Sequence, residues 1–483
     1  MGASARQRAT VRHDHWIGGK PSEPARGSYL PTLRPATREP GDEVAAGGPD
    51  DVDRAVVAAR AAYRAWAALP AADRSSALHR VADAIAAHTG ELTALERACT
   101  GKTDAQLRLE TEMSAAYFRY YAGALHAHHG RTIDQGAGAL TYTRLEPYGV
   151  VAVITPWNLP LNQACRALAP ALAAGNAVVV KPSELTSAST VCLARIASEA
   201  GLPDGLLNVV TGTGREVGTP LALHPEVRRV AFTGSRPTGR HLATVAADRL
   251  IPLTLELGGK SPLVVFADAD LERAAAAAVN AVAANAGQVC SATTRLLVES
   301  SVHDPFVREV AARLEGLEPA RDFGPINTEA QYAEVLDHFD RAREAGCRPL
   351  TGGGAYEDGA PAGGLYIRPT LYAHVPRDLP LAREEIFGPV LATMPFTDEA
   401  HALALADDTA YGLVASIWSG DTARGLRLAE RIQAGQVTVN GGPLTIETPF
   451  GGYKQSGYGR EKGLEALHEY AQVKTVSLAL GSS

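Results

Sequence analysis

The chain has 483 residues, 46 % of them hydrophobic and 20 % charged, with 47 Gly and 30 Pro. At about 150 residues per unit this describes roughly three globular units, and it excludes a disordered segment or a small staple-dependent module. A balance of 46 basic against 53 acidic residues, net −7, leaves no basic excess to neutralise phosphates, so no nucleic-acid or anionic-membrane partner is expected.

The five cysteines, Cys99, Cys165, Cys192, Cys290 and Cys347, are odd in number and contain no C-x-x-C pair. They read as free thiols in a reducing compartment. The opening MGASARQRATVRHDHW is basic but has no apolar leader core. The apolar run Ala274 to Ala284 is broken by Asn280 and falls short of the roughly 18 residues of a membrane span. A cytoplasmic location follows as the expectation.

In chain order, Asp51 to about His88 has apolar positions at helical spacing and a break at Pro70, which predicts two antiparallel helices. A third helix is predicted from about Asp104 to Ala127, and extended chain from Arg131 to Leu145. From Gly149 the texture alternates: GVVAVI, helix Leu161 to Ala173, AVVVK, helix Ser187 to Ala200, LNVVTG, helix Arg215 to Leu223, RRVAFTG. Short continuous apolar strands between helices are what a parallel sheet covered on both faces requires. The alternation resumes near Gly259 with PLVVF, a helix from Leu271 to Ala284, TTRLLVE and a helix from Val302 to Leu314, which predicts a second α/β domain. Thr351 to Gly364 reads as a surface turn region.

A doubly wound sheet invites a nucleotide, yet the ordinary G-x-G-x-x-G signature is absent. GTGREVG at 212 to 218 has its last glycine one residue late, and FTGSRPTG at 232 to 239 places Gly234 and Ser235 where N–H groups and a hydroxyl could meet a phosphate. Cys290 lies between a helix and a strand among small neighbours, either a nucleophile or a small buried hydrophobe. Glu256 ends an apolar strand beside two glycines, either a base at the ligand crevice or a cap or ion-pair partner.

Taken together, TPWNLP at 155 to 160, KPSE at 181 to 184, FTGS at 232 to 235, LELGGKSP at 255 to 262, GQVC at 287 to 290, EEIFGPV at 384 to 390 and PFGGYKQSGYGRE at 449 to 461 resemble the aldehyde dehydrogenase superfamily, in its NAD(P)-dependent, non-acylating branch. The resemblance runs from about Trp16 to the C-terminal EYAQVKTV, and 34 residues separate Glu256 from Cys290, as in that family. It implies an α/β fold with a Rossmann-type NAD-binding domain at 1–124 and 148–258, an α/β catalytic domain at 259–450, and a small oligomerisation arm at 125–147 and 465–483. The implied reaction oxidises an aldehyde to the acid through a cysteine thiohemiacetal and thioester. Cys290 matches the nucleophile, Asn158 the oxyanion donor alongside the nucleophile's backbone N–H, and Glu256 the base that activates water.

For the cofactor, Lys181 and Glu184 match residues that bind the adenine ribose. A carboxylate there suits a 2′-hydroxyl and repels a 2′-phosphate, so NAD is expected, with NADP the alternative. Gly234 and Ser235 match the pyrophosphate contact, Thr155 and Trp157 the chain beside the cofactor, Glu385 and Phe387 the nicotinamide ribose and ring, and Leu257 the carboxamide partner. Arg236 and Pro237 depart from the commoner FTGST continuation.

Arg166 resembles the carboxylate-binding arginine of succinate semialdehyde dehydrogenases, although the second arginine of that pair is replaced by Ala284. A carboxylated aldehyde is therefore the alternative substrate, and a structural ion pair the alternative role. Gln163, Leu159 and Phe450 are expected at the substrate entrance. His126, His128 and His129 read as solvated surface, and no metal is expected. The segment from Leu314 to Gly324 is about ten residues shorter than the usual family version. A homodimer or homotetramer is implied, and Glu256, Cys290 and Asn158 disfavour a CoA-acylating enzyme or a catalytically silent member.

Overall fold

The computed structural model describes residues 10–356 and 361–480. The first nine residues, 357–360 of the expected turn region, and 481–483 of the expected arm lie outside the described residues.

Five of the predicted apolar runs form the parallel centre of an eight-stranded sheet. Its order is Gly457–Tyr458, Leu253–Glu256, Val227–Thr233, Val150–Ile154, Ala177–Lys181, Leu207–Val209, His15–Ile17, Lys20–Ser22. The chain starts at Val150–Ile154, winds one way through Leu207–Val209, then returns to lay Val227–Thr233 and Leu253–Glu256 on the other side. The winding reverses between Val150–Ile154 and Val227–Thr233, and a crevice opens at the carboxyl ends of strands at such a point. Thr155 to Asn158 and Gly234 to Arg236 leave the sheet there.

Helix Pro160–Ala173 is buried at every position, polar Asn162, Gln163 and Arg166 included. It runs through the first core rather than over it, and Pro160 at its first turn removes an N–H that would have no intrahelical partner. The two helices predicted around Pro70 are Pro49–Ala68 and Ala71–Ala87. The third, Asp104–Ala124, is preceded by an unpredicted helix, Thr89–Thr100. Glu96 on that helix is buried, accepts the Leu161 N–H at 3.0 Å and the Ser189 hydroxyl at 2.5 Å, and so ties the helix to the start of Pro160–Ala173. Tertiary contacts of this kind override the weak helical preference of Thr and Gly at its start.

The second domain is a seven-stranded sheet ordered Pro349–Thr351, Thr370–Tyr372, Val390–Phe396, Arg295–Glu299, Pro262–Val265, Val414–Trp418, Gln436–Val439, parallel except at the first edge. Helices Leu271–Ala283 and His303–Glu315 pack on one face, as their apolar spacing predicts.

The extended arm is a three-stranded sheet in which Ala139–Pro147 pairs antiparallel with Ala471–Ala479 in unbroken register, with Thr132–Ile133 on its other edge. The expected arm segment from 465 divides. Helix Gly463–Glu469 sends Ala466 and Leu467, followed by Tyr470, into the first core, and only the strand that follows joins the arm. Strand Gly457–Tyr458, beyond the expected catalytic segment, likewise extends the first sheet beside Glu256.

Candidate active site

Cys290 follows an unusual stretch of chain. Asn285, Ala286 and Gly287 in succession have positive φ, +50°, +51° and +72°. For the first two that conformation costs of order 1 kcal/mol each, and neighbours hold it. A Cβ on Gly287 would stand 2.1 Å from the Gly388 carbonyl, so only glycine fits. Asn285 Nδ2 donates to the carbonyls of Asn158 at 3.0 Å and Gln288 at 3.1 Å. Gln288 donates to the carbonyls of Asn285 and Pro325 and accepts the Asn327 N–H at 2.8 Å. The shortened 314–324 segment thus delivers chain that braces the turn before Cys290, through a tight bend closed by the Ala320 N–H on the Phe323 carbonyl. Asn285, Gln288 and Asn327 were not singled out in the sequence, whose only local signal was the run of small residues.

Asn158, Glu256 and Cys290 line one cleft of about 510 Å³ between the two domains. Asn158 leaves the first strand at the winding reversal, and its Nδ2 donates to the Gln288 carbonyl at 2.9 Å, leaving one N–H of the amide for the cleft. Glu256 ends Leu253–Glu256 and is 1 % exposed, yet among the described residues neither carboxylate oxygen has a hydrogen-bond partner. Burial, then the nearby Glu461 carboxylate, pushes its pKa well above the ordinary range, against the pull of Arg166. Cys290 is half-buried. Burial pushes its thiol up to about 11, with the Arg166 cation opposing and Glu256 adding to the rise.

Of the nine expected cofactor residues, six line the cleft, while Thr155, Lys181 and Glu184 do not. Trp157, Gly234, Ser235, Leu257, Glu385 and Phe387 line the cleft with Cys290. Ser235 stands at the N-cap position of helix Arg236–Arg249 without a side-chain cap hydrogen bond, its hydroxyl donating to Thr238 Oγ1 at 3.0 Å, and the helix's first N–H groups form an anion-favouring end. Trp157 and Phe387 meet edge to face at 5.4 Å. Glu385 accepts the Gly259 N–H at 3.0 Å, and a Cβ on Gly258 would lie 1.8 Å from its carboxylate, so a side chain there would displace the Glu385 carboxylate from this position. Burial raises Glu385 to about 7, against the Gly259 hydrogen bond and the Lys260 charge.

The second cavity, about 590 Å³, shares Pro237 with the first and is lined by Ile154, Gly214, Gly218 and His241 among others. It therefore takes in part of the GTGREVG stretch, whose Gly214–Gly218 is a wide helical turn. Lys181 and Thr155 are buried and line neither cavity: Lys181 Nζ pairs with Glu184 at 3.0 Å, and the Thr155 N–H bonds the Lys181 carbonyl at 3.1 Å. Arg236, the departure from the usual motif, lines the cleft, donates to Gln455 at 2.8 Å and lies over the Tyr411 ring.

Among the expected substrate residues, Gln163 lines the cleft. Phe450 lies in a small apolar cluster with Leu413 and Val414, against Cys290. Arg166 is buried over the Phe450 ring and paired with the equally buried Glu461. That pairing is the ion-pair role weighed in the sequence; Glu461 ends the block at 449 to 461, where no role was assigned to it. His128 stacks on His468, with 5.6 Å between centroids, while His126 and His129 are exposed.

Residues 22–476 match the model of the aldehyde dehydrogenase family. Three solved structures superpose over nearly the full chain. A Burkholderia cenocepacia protein classed as an aldehyde dehydrogenase is 44 % identical, with 97 % of this chain and 100 % of that one covered and a TM-score of 0.94. An NAD-dependent aldehyde dehydrogenase from Sinorhizobium meliloti is 39 % identical, with coverages of 99 % and 97 % and a TM-score of 0.95. A Staphylococcus aureus betaine aldehyde dehydrogenase in complex with NAD+ is 34 % identical, with coverages of 98 % and 96 % and a TM-score of 0.95.

Proposed function

The chain belongs to the aldehyde dehydrogenase family and is an oxidoreductase acting on aldehydes, and from that premise we propose that Cys290, Asn158 and Glu256 carry the NAD-dependent conversion of an aldehyde without a carboxylate group to its acid. The observation that carries this reading is the meeting of these three side chains in one cleft at the winding reversal of the first sheet.

The cavities fit a dinucleotide. The close approach of Gly258 to Glu385 and the helix N-terminus at Ser235 belong to the first cavity, the second adjoins it at Pro237, and Lys181, paired with Glu184, brings its Cδ within 3.9 Å of where a Cβ on Gly218 of the second cavity's lining would stand. Glu385 and Phe387 would hold the nicotinamide end, Gly234 and Ser235 the pyrophosphate, and Lys181 with Glu184 the adenine ribose. The Glu184 carboxylate favours NAD over its 2′-phosphorylated form. NAD, when bound, supplies the acceptor for the hydride that leaves the aldehyde carbon.

The protein's own part is nucleophilic and electrostatic. The Cys290 thiolate adds to the carbonyl carbon and places negative charge on oxygen, where the Asn158 amide and the Cys290 N–H donate to it. Once the carbon is oxidised to a thioester, Glu256 accepts a proton from the water that attacks it, and the acid leaves with the thiol restored. Neither Glu256 oxygen has a hydrogen-bond partner among the described residues, which leaves their lone pairs for that proton. A water-activating carboxylate here favours hydrolysis over transfer to CoA.

The buried Arg166–Glu461 pair favours an aldehyde without a carboxylate, because the guanidinium already has its counter-charge. The arm leaves Leu140, Val473, Leu478 and Leu480 at least 40 % exposed. An apolar sheet of this kind suits pairing with a second copy, as a homodimer or homotetramer. Five free cysteines fit a reducing, cytoplasmic setting, and among the described residues no helix is long and apolar enough to cross a membrane.

The test is a panel of neutral, cationic and carboxylated aldehydes followed at the NADH absorbance, with NAD or NADP and with or without CoA. NAD-dependent turnover that needs no CoA and favours uncharged or cationic aldehydes is expected. A CoA requirement, or a preference for carboxylated aldehydes, contradicts the reading.

A further inference from the structure

Outside the cleft, the second domain gathers two imidazoles and a carboxylate. His303 and Asp304 open helix His303–Glu315, and His374 follows strand Thr370–Tyr372. Asp304 Oδ1 lies 2.8 Å from His303 Nδ1 and 2.9 Å from His374 Nε2, and the two imidazole centroids are 4.3 Å apart. All three ligand atoms lie within 4.8 Å of one another, and among the described residues no other trio of His, Cys, Asp and Glu does this. Ligand atoms bound at about 2.0–2.2 Å around a tetrahedral ion stand roughly 3.3–3.6 Å apart. Small side-chain movements therefore make room for an ion.

Two further features suit metal binding. His303 is 2 % exposed, and its remote Nε2 lies 3.2 Å from the hydroxyl of fully buried Thr393. A hydrogen bond on the remote nitrogen is what fixes a ligating imidazole in orientation and tautomer. Asp304 and His374 have side chains 60 % and 57 % exposed, so an ion and a completing water can enter from solvent. His374 also has φ of +50°, an uncommon backbone for a non-glycine residue.

We propose that His303, Asp304 and His374 form a site for a divalent transition ion of the zinc type, which clips the start of helix His303–Glu315 to the chain after Thr370–Tyr372. Two imidazoles and one carboxylate match the ligand preferences of zinc, nickel and cobalt rather than those of magnesium or calcium. The positive end of the helix opposes a cation, so the carboxylate is as necessary as the imidazoles.

The test uses Cys290→Ala protein, because a reactive thiolate also takes zinc, and titrates it with zinc chloride by calorimetry. One site per chain is expected, weakened at least tenfold by His374→Asn and by Asp304→Asn, with zinc raising the melting temperature of the parent and not of the variants. His374 and Asp304 are exposed, and asparagine tolerates a positive φ, so metal-free variants should melt near the parent. Cobalt should give weak visible bands without a sulfur charge-transfer band. Absence of binding, affinity in the variants equal to the parent's, or a thiolate band that persists in His374→Asn would overturn the proposal.

Discussion

Arg166 and Glu461 form an ion pair from which water is nearly excluded, each side chain 5 % exposed, with the guanidinium lying over the Phe450 ring that packs against Cys290. The pair sets the electrostatics behind the nucleophile: the Arg166 cation lowers the Cys290 pKa, and the Glu461 carboxylate raises that of Glu256.

Removing one partner of a buried pair leaves the other charge uncompensated, at a cost of about 3–5 kcal/mol. Arg166→Ala should therefore lose stability of that order in chemical denaturation. It should also lower kcat/KM by similar factors for carboxylated and neutral aldehydes. A loss confined to carboxylated aldehydes would instead make Arg166 a substrate ligand.

The pH profile follows from the two raised groups. Burial holds the Cys290 thiol near 11, so the reactive thiolate fraction grows about tenfold per pH unit below that value. Glu256, also raised chiefly by burial, gains its base form in the same direction. Both effects have the same sign: kcat/KM should climb steadily from pH 6 to pH 9 with the thiolate, and the hydrolytic step in kcat with the Glu256 base. Arg166→Ala, without the cation that lowers the thiol, should need higher pH for the same fractional activity. A flat or falling wild-type profile over this range contradicts the assignment.

Much of this arrangement was legible in the sequence because it is local. The apolar strands at 150–154, 177–181 and 227–233 announce the doubly wound sheet; the short blocks around Asn158 and Glu256 lie where the chain leaves a strand, and the one around Cys290 lies between helix Leu271–Ala283 and strand Arg295–Glu299. What was not legible depends on distant chain. Glu461 meets Arg166 only because Gly457–Tyr458 joins the edge of the first sheet and Gly463–Glu469 enters its core. Asn285, whose residue type tolerates positive φ, is held through Asn158, and the following Gln288 through Pro325 and Asn327, whereas nothing in the residue type of Ala286 advertises that backbone. Helix Thr89–Thr100 likewise depends on Glu96 reaching Leu161 and Ser189.

Glu184 gives a cofactor test independent of the chemistry. Its carboxylate pairs with Lys181 and should repel a 2′-phosphate. Glu184→Gln should raise the ratio of kcat/KM with NADP to that with NAD by about tenfold, equivalent to 1.4 kcal/mol. An unchanged ratio in steady-state kinetics removes Glu184 from cofactor selection.

Glu256→Gln keeps the shape of the side chain and removes the base. Rapid mixing with aldehyde and NAD should give a burst of NADH of up to one equivalent per chain, followed by turnover slowed about 10²–10⁴-fold, the usual contribution of a general base. A variant that loses the burst as well as the turnover would place Glu256 before thioester hydrolysis.

The central claim, that Cys290 forms the covalent bond to the substrate carbon, is tested most directly by intact-protein mass spectrometry of Glu256→Gln quenched during the burst. The account predicts an added acyl mass located on the peptide that carries Cys290, and no such adduct, with no NADH burst, in Cys290→Ala. NADH formation at the wild-type rate by Cys290→Ala, or an acyl group found on Cys99, Cys165, Cys192 or Cys347, would contradict it.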